Sequence, residues 1–202
     1  MILITSYYRT ENEKRNEEID FVLEKNVNSG IFEKIICVCD SIHRPKIKSS
    51  ILEFFSMGRR PTYGDFFSIG NNYHGKIIVL SNSDIFYDGT LYESRNFLKE
   101  AGILALTRYE YDTKNETSIM EMECDSQDSW IYRSPIDISG IDTSFNLGIP
   151  GCDNRIAHEL SLNYRVINPS LKIKTHHVHE SDFRTYDVEK RLKGTYLQIN
   201  IE

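Results

Sequence analysis

The sequence contains few of the residues that mark several specialised protein classes. Eleven glycines and five prolines among 202 residues exclude collagen-like and low-complexity chains. The four cysteines, at positions 37, 39, 124 and 152, form no CxxC pair and no zinc-binding spacing. No apolar run approaches the roughly 20 residues of a membrane-spanning helix, and no basic segment with an apolar core opens the chain as a leader would. These absences predict a soluble protein without a membrane span, in a reducing, cytoplasmic compartment.

Motifs of several common enzyme classes are missing as well. The chain has no GxxxxGK[ST] loop, no GxGxxG turn and no GxSxG elbow, which disfavours P-loop, dinucleotide-binding and serine-hydrolase enzymes. The net charge is −6, and residues 61–160 hold sixteen acidic against seven basic side chains. Because a protein that binds nucleic acid needs a basic stripe on its surface, the acidic net charge disfavours nucleic acid as a partner. The acidic excess indicates either a solvated face or carboxylates gathered around a cation.

Apolar runs that alternate with helical patterns predict an α/β fold. Residues 2–7 and 34–39 are typical of buried strands, and the segment 11–28 between them has apolar side chains at helical spacing. Strand, helix and strand within about forty residues indicate a right-handed βαβ unit on a parallel sheet. Further strands are expected at 76–80, 103–107 and 164–167, helices at 90–100 and 153–162, and a polar loop at 112–128.

Polar residues collect where the first three strands end. They are Thr5, Ser6 and Tyr7, then Asp40, then Asn82, Ser83 and Asp84. Ligands of open parallel sheets bind outside the carboxyl ends of the strands. Asn82 and Asp84 stand two positions apart, so both oxygens point to one side of an extended segment, and such oxygens suit Mg²⁺ or Mn²⁺. The alternative is a turn in which both side chains bond their own backbone.

Three histidines follow the apolar residues near position 173. In the run His176-His177-Val178-His179, strand alternation places His177 and His179 on one face and His176 on the other. Imidazole is a common metal ligand, so this run predicts either a metal site or an ordinary polar turn. A zinc site of three histidines lacks the spaced HExxH helix.

The order of these elements and four short motifs resemble GT-A glycosyltransferases. The motifs are RPTYGDFF at 60–67, IIVLSNSDIFYD at 77–88, SQDSW at 126–130 and GIPGCDNRIA at 148–157. Over residues 1–186 the chain is similar to compact sugar transferase domains encoded by chlorella viruses. It departs from the family's usual Asp-x-Asp metal motif at Asn82, which offers a neutral carbonyl oxygen.

The resemblance implies one GT-A-like domain over residues 1–202. It comprises a nucleotide-binding half at 1–100, an acceptor and catalytic half at 101–186, and a tail at 187–202. The resemblance further implies that the base and ribose are contacted by Thr5, Ser6, Tyr7 and Asp40. Arg60 would contact a phosphate or the base edge, and Asp65 would also reach the nucleotide. Asn82 and Ser83 would contact the donor ribose or the metal. Asp84 would be the main protein ligand of Mn²⁺ or Mg²⁺, joined by His177 or His179.

The resemblance also indicates which groups catalyse. An inverting sugar transfer needs one carboxylate to take the proton of the acceptor hydroxyl, and GT-A enzymes usually supply it near the start of a late helix. Asp153 stands there, although it could merely cap that helix. Asp128 is the second candidate, and the neighbouring Trp130 could stack on the acceptor sugar or fill the core.

These expectations describe a metal-dependent hexosyl- or deoxyhexosyltransferase. The donor would be a nucleotide-diphosphate sugar, most simply UDP-linked, the acceptor a glycan or glycoprotein hydroxyl, and the stereochemistry inverting. A viral origin would place the protein in the host cytoplasm. A Mg²⁺-dependent nucleotidyltransferase or phosphohydrolase, and a sugar-nucleotide-binding module without turnover, are the alternatives.

Overall fold

The computed structural model describes residues 1–120, 126–187 and 189–202. Its strands are β1 Ile2–Tyr7, β2 Lys34–Cys39, β3 Leu52–Ser56, β4 Ile77–Ser81, β5 Ile85–Tyr87, β6 Ile103–Thr107, β7 Tyr109–Asp112, β8 Thr117–Met120, β9 Gln127–Arg133, β10 Val166–Ile167 and β11 Thr175–His177. Its helices are α1 Glu13–Asn28, α2 Tyr63–Asn71, α3 Ser94–Phe97 and α4 Cys152–Ser161, with a 3₁₀ turn at Gly89–Glu93 before α3. Cys37, Cys39 and Cys152 are buried free thiols, and Cys124 lies outside the described residues.

Seven strands form the main sheet in the order β10-β6-β9-β4-β1-β2-β3. β1 pairs in parallel with β2 and β4, and β2 pairs in parallel with β3. β9 runs antiparallel between β4 and β6. The predicted α/β fold with a central, mostly parallel sheet is therefore confirmed.

Helices cover both faces of this sheet because its buried strands carry apolar side chains on both sides. On one face, Leu3 of β1 packs in the same cluster as Ile19 and Leu23 of α1. On the other face, Ile4 packs in a cluster with α2 and with Ile156 of α4. Burying these apolar faces on the sheet stabilises the helices more than their intrinsic propensities do.

The elements that were not predicted include α2, β3, β5, β7, β8 and β9. The expected loop at 112–128 is wrong, because β8 begins at Thr117 and β9 at Gln127. The expected helix at 90–100 is a 3₁₀ turn followed by one turn of α-helix. β9 escaped prediction because its first three residues are polar, although all three are buried in the folded chain.

A second, four-stranded sheet lies at the end of β4, in the order β5-β11-β7-β8. β5 begins directly after Asp84, and β11 pairs with it in antiparallel register and with β7 in parallel register. In this register His177 of β11 lies between Ile85 and Glu110. The small sheet therefore carries the histidine run to the carboxyl end of β4.

Among the described residues, no helix has both the length and the apolar character that a bilayer crossing requires.

Candidate nucleotide and metal site

The strand ends of the main sheet converge on one cavity of about 440 Å³. β1, β2, β4 and β6 all point their carboxyl ends to this edge, and the antiparallel β9 begins there. Of the residues predicted to contact a nucleotide, the cavity wall contains Ser6, Tyr7, Asp40, Arg60, Asn82 and Ser83. The cavity thus lies where it was predicted, at the carboxyl ends of the parallel strands, because a parallel sheet brings residues far apart in sequence to one edge.

Asp84, His177 and His179 form a cluster beside this cavity. Each offers one ligand atom, and the three atoms lie within 4.8 Å of one another. The Oδ1 atom of Asp84 is buried and has no hydrogen-bond partner among the described residues. A buried carboxylate oxygen without a partner is costly, and a cation would satisfy it. The donor set of one carboxylate and two imidazoles therefore fits a divalent metal ion.

The other carboxylate oxygen of Asp84 is held by a guanidinium. Arg15 Nη2 lies 2.5 Å from Asp84 Oδ2, and both side chains are at least 90% buried. Burial opposes the ionisation of Asp84, but His177 and Arg15 outweigh it, so the pKa of Asp84 lies far below its ordinary value. The Asp84 carboxylate is therefore charged, and Arg15 fixes its orientation with Oδ1 left over.

The two clustered histidines present different nitrogens to Asp84. His177 Nδ1 lies 2.8 Å from Glu110 Oε2, while its Nε2 lies 3.5 Å from Asp84 Oδ2. His179 Nε2 lies 3.1 Å from the carbonyl of Phe183, which leaves its Nδ1 for a ligand. Burial lowers the pKa of His179, and the neighbouring Arg15 lowers it further, so this imidazole is neutral, the form that binds metal.

His176 lies on the opposite face of β11, as strand alternation predicted. Its Nδ1 is 2.6 Å from the hydroxyl of Ser118, and its Nε2 is 3.1 Å from Asp88 Oδ2. The ring stacks on Phe86 at a centroid distance of 4.7 Å. Both ring nitrogens of His176 therefore have partners outside the cluster of Asp84, His177 and His179.

Asp128, the second catalytic candidate, accepts hydrogen bonds from Asn82, from Arg108 and, at 3.5 Å, from the hydroxyl of Ser126. Asn82 Nδ2 donates to its Oδ1 at 2.5 Å, and Arg108 Nη1 lies 3.2 Å from its Oδ2. The side chain is buried at the start of β9 and lines the cavity. Asp128 therefore orients Asn82, whose carbonyl oxygen faces Gly148 across the cavity.

Asp153, the first catalytic candidate, is a partly buried carboxyl in the first turn of α4. It does not belong to the cavity wall, but it lies close enough to Asp128 for their charges to interact. Burial and then the Asp128 charge raise the pKa of Asp153 to about 8. Its Oδ1 accepts the buried Cys152 thiol at 3.2 Å. A carboxyl with this pKa exchanges protons near neutral pH.

Arg60 lies in the cavity wall with its guanidinium bound to backbone only. Its Nη2 donates to the carbonyls of Leu147 and Gly148 at 3.2 and 2.8 Å. The described residues supply no carboxylate within ion-pair distance of Arg60. This guanidinium can therefore bind an anionic group of a ligand.

Three predicted site residues are placed elsewhere by the structure. Trp130 is fully buried in the core at β9, so its indole presents no face to an acceptor. Asp65 forms the capping box of α2 with Thr62 and an ion pair with Arg59, so this side chain stabilises the N-terminus of the helix. Thr5 does not line the cavity, and its hydroxyl instead donates to the Asn82 carbonyl at 3.0 Å.

The sequence reasoning missed several residues of the cavity wall. They include Arg9, Arg15, Arg108, Glu110 and the segment 182–186. Arg108 directly follows the predicted strand at 103–107, so the strand-end rule could have found it. Arg15 lies in a helix with many charged residues, where nothing local separates a buried arginine from a solvated one.

Solved structures share this fold, whereas no protein-family model and no curated protein matches the chain. S. aureus TarS 1-349 in complex with UDP-GlcNAc gives a TM-score of 0.58 at 13% identity, covering 91% of this chain and 61% of that chain. The complex of TarS 1-349 with UDP gives 0.54 at 15% identity, covering 87% and 59%. The chain thus spans about three fifths of the length of these structures. The likeness establishes that this chain shares the fold of these structures, in agreement with the predicted GT-A-like architecture.

Proposed function

We propose that this protein transfers a sugar from a UDP-linked donor to a hydroxyl group with the help of a divalent metal ion. The observation that carries the proposal is the cluster of Asp84, His177 and His179, whose ligand atoms lie within 4.8 Å of one another at the edge where the cavity opens. The Oδ1 atom of Asp84 is buried there without a hydrogen-bond partner among the described residues. The fold shared with the UDP-GlcNAc and UDP complexes of TarS supports a donor of this class.

Asp84, His177 and His179 would hold Mn²⁺ or Mg²⁺. When bound, the ion neutralises the charge that develops on the diphosphate leaving group. Arg60 would bind the same diphosphate, because it is a cavity guanidinium without a carboxylate partner among the described residues. Ser6, Tyr7 and Asp40 at the ends of β1 and β2 would contact the base and ribose.

Asp153 would accept the proton of the attacking hydroxyl. Its raised pKa gives it the affinity for a proton that a general base needs, whereas the two oxygens of Asp128 are already engaged by Asn82 and Arg108. A single displacement with one general base inverts the configuration at the anomeric carbon. The acceptor would then be a sugar hydroxyl of a glycan or glycoprotein that approaches from the side of α4.

Release of UDP from UDP-sugars in the presence of Mn²⁺ tests the proposal. The variant Asp84→Asn keeps an oxygen for Arg15 but removes the charge, and we expect its turnover to fall by about 100-fold or more. His176→Asn serves as the matched control, because it alters the neighbouring histidine on the opposite face of β11. Thermal unfolding of both variants identifies any loss of folding.

Three outcomes would contradict the proposal in different ways. Undiminished turnover by Asp84→Asn removes the metal assignment. Release of pyrophosphate or inorganic phosphate in place of UDP identifies a nucleotidyltransferase or a phosphohydrolase. Binding of the sugar nucleotide with no turnover over long incubation identifies a binding module.

A further inference from the structure

Glu110 lies directly behind one of the clustered histidines. It belongs to β7 and stands opposite His177 of β11 in the parallel register of the small sheet. Its Oε2 is 2.8 Å from His177 Nδ1, and its Oε1 is 2.6 Å from Arg108 Nε. Both carboxylate oxygens are therefore held, even though the side chain is 47% exposed to solvent.

The hydrogen bond to Glu110 decides which nitrogen of His177 can bind a metal. A carboxylate accepts only, so Nδ1 must carry the hydrogen, and Nε2 is the nitrogen that faces Asp84. The carbonyl of Phe183 does the reverse for His179, where Nε2 carries the hydrogen. Each imidazole is thus backed by one acceptor, which fixes the orientation of the ring and keeps the opposite nitrogen directed toward Asp84.

Arg108 links this arrangement to the other side of the cavity. Its Nε binds Glu110 and its Nη1 binds Asp128, which in turn accepts from Asn82. The chain of contacts joins a clustered histidine to the carboxylate at the start of β9. A shift of Glu110 would therefore disturb both His177 and, through Arg108, Asp128.

We propose that Glu110 is a positioning residue that holds His177 with Nε2 directed at the metal ion. The inference rests on the metal site of the proposed function and adds a residue that acts on the ion through His177. A carboxylate behind a ligating imidazole fixes ring orientation and raises ligand basicity, and loss of such a partner costs about 10- to 100-fold in metal affinity.

The affinity of the protein for Mn²⁺ alone tests this role. It is measured from the decrease in the EPR signal of free Mn²⁺ as the ion binds. Glu110→Ala removes the acceptor, so we expect affinity to fall by about 10- to 100-fold. Glu110→Gln keeps an oxygen at the same reach and should recover much of that loss. Glu110→Asp keeps the charge but is one methylene too short, and should behave like Glu110→Ala. Asp112→Asn is the control, since it removes one charge from the same strand.

A second readout follows the imidazole itself. With diamagnetic Zn²⁺ bound to the wild-type protein, ¹⁵N spectra should show His177 protonated at Nδ1, and this signature should be lost in Glu110→Ala. Failure of wild-type protein to bind Mn²⁺ would overturn the proposed metal site. Wild-type binding with equal affinity in Glu110→Ala would overturn the role of Glu110 alone. An affinity loss in Glu110→Gln as large as in Glu110→Ala would show that charge, and not position, is what matters.

Discussion

At the residue scale, the two acids predicted for catalysis have different surroundings. Asp128 is buried, with Asn82 and Arg108 on its two oxygens. Asp153 has the Cys152 thiol as a weak donor, and burial together with the Asp128 charge raises its pKa to about 8. The oxygens of Asp128 are thus already engaged by donors, whereas Asp153 has the raised pKa that the proposed proton acceptor needs.

This difference predicts how turnover depends on pH. A general base must be ionised, so kcat/KM at saturating Mn²⁺ should rise with pH to a plateau, with its midpoint near pH 8. Asp128→Asn removes the neighbouring negative charge, which lowers the pKa of Asp153 and should move the midpoint to lower pH. Rate measurements from pH 6 to 10 on both proteins provide the comparison. A midpoint that stays in place in Asp128→Asn, or an Asp153→Asn variant with full activity, would remove Asp153 from the role of base.

At the element scale, β9 and α2 determine how closely the sheet and its helices pack. β9 inserts between β4 and β6 with six of its seven residues buried. Tyr132 of β9 reaches α2, where Gly70 leaves room for its ring and hydroxyl. A Cβ atom at Gly70 would lie 2.1 Å from the Tyr132 hydroxyl and 3.3 Å from Ile78. The glycine is therefore required by the close approach of helix and strand.

Gly70→Ala should destabilise the protein although alanine favours helices. Overpacking of a closed contact costs about 1 to 3 kcal/mol, which exceeds the roughly 1 kcal/mol that alanine gains over glycine in a helix. Gly89→Ala is the control, because a Cβ atom there meets nothing within 4 Å. The urea midpoint of unfolding measures both. A midpoint in Gly70→Ala at or above that of the wild type would show that Tyr132 moves aside at little cost.

At the scale of the whole molecule, the acidic side chains divide between the cavity and the solvated surface. Asp84 and Asp128 are buried at the cavity and paired with arginines, whereas acids such as Asp112 and Asp137 are exposed. Because Arg15 and Arg108 offset the buried acids, the cluster of Asp84, His177 and His179 would by itself offer a cation little net negative charge. A nucleotide diphosphate would add the negative charge that a divalent ion needs.

Metal and nucleotide should therefore stabilise the folded chain together more than separately. A ligand at about 100 times its Kd adds about 2.7 kcal/mol to the free energy of unfolding. For a chain of this size that corresponds to a Tm increase of roughly 5 to 10 °C. Thermal unfolding with Mn²⁺, with UDP, with both and with UDP plus EDTA measures the coupling, and ADP is the control for the base. Equal stabilisation by UDP with and without EDTA would show that nucleotide binding does not need the metal.

The parts of the fold that were predicted depend on local patterns. β1, β2, β4 and β6 were located to within a residue because continuous apolar runs mark strands buried on both faces. The placement of His177 and His179 on one face and of His176 on the other followed from the two-residue period of a strand. Strand ends gave the cavity, since parallel strands share an edge whatever residues they contain. The predicted division into halves and tail remains a prediction.

Tertiary structure decided the rest, because the partners lie far apart in the chain. Only the folded sheet shows that Trp130 is enclosed on both sides, that Asp84 meets Arg15 from α1, and that Glu110 stands behind His177. Burial and pairing depend on which strands become neighbours, and a single sequence states the order of elements but not their adjacency. The sequence thus predicted the edge of the sheet at which the cavity opens, and the packing of β9, α1 and the small sheet decided which side chains line that cavity.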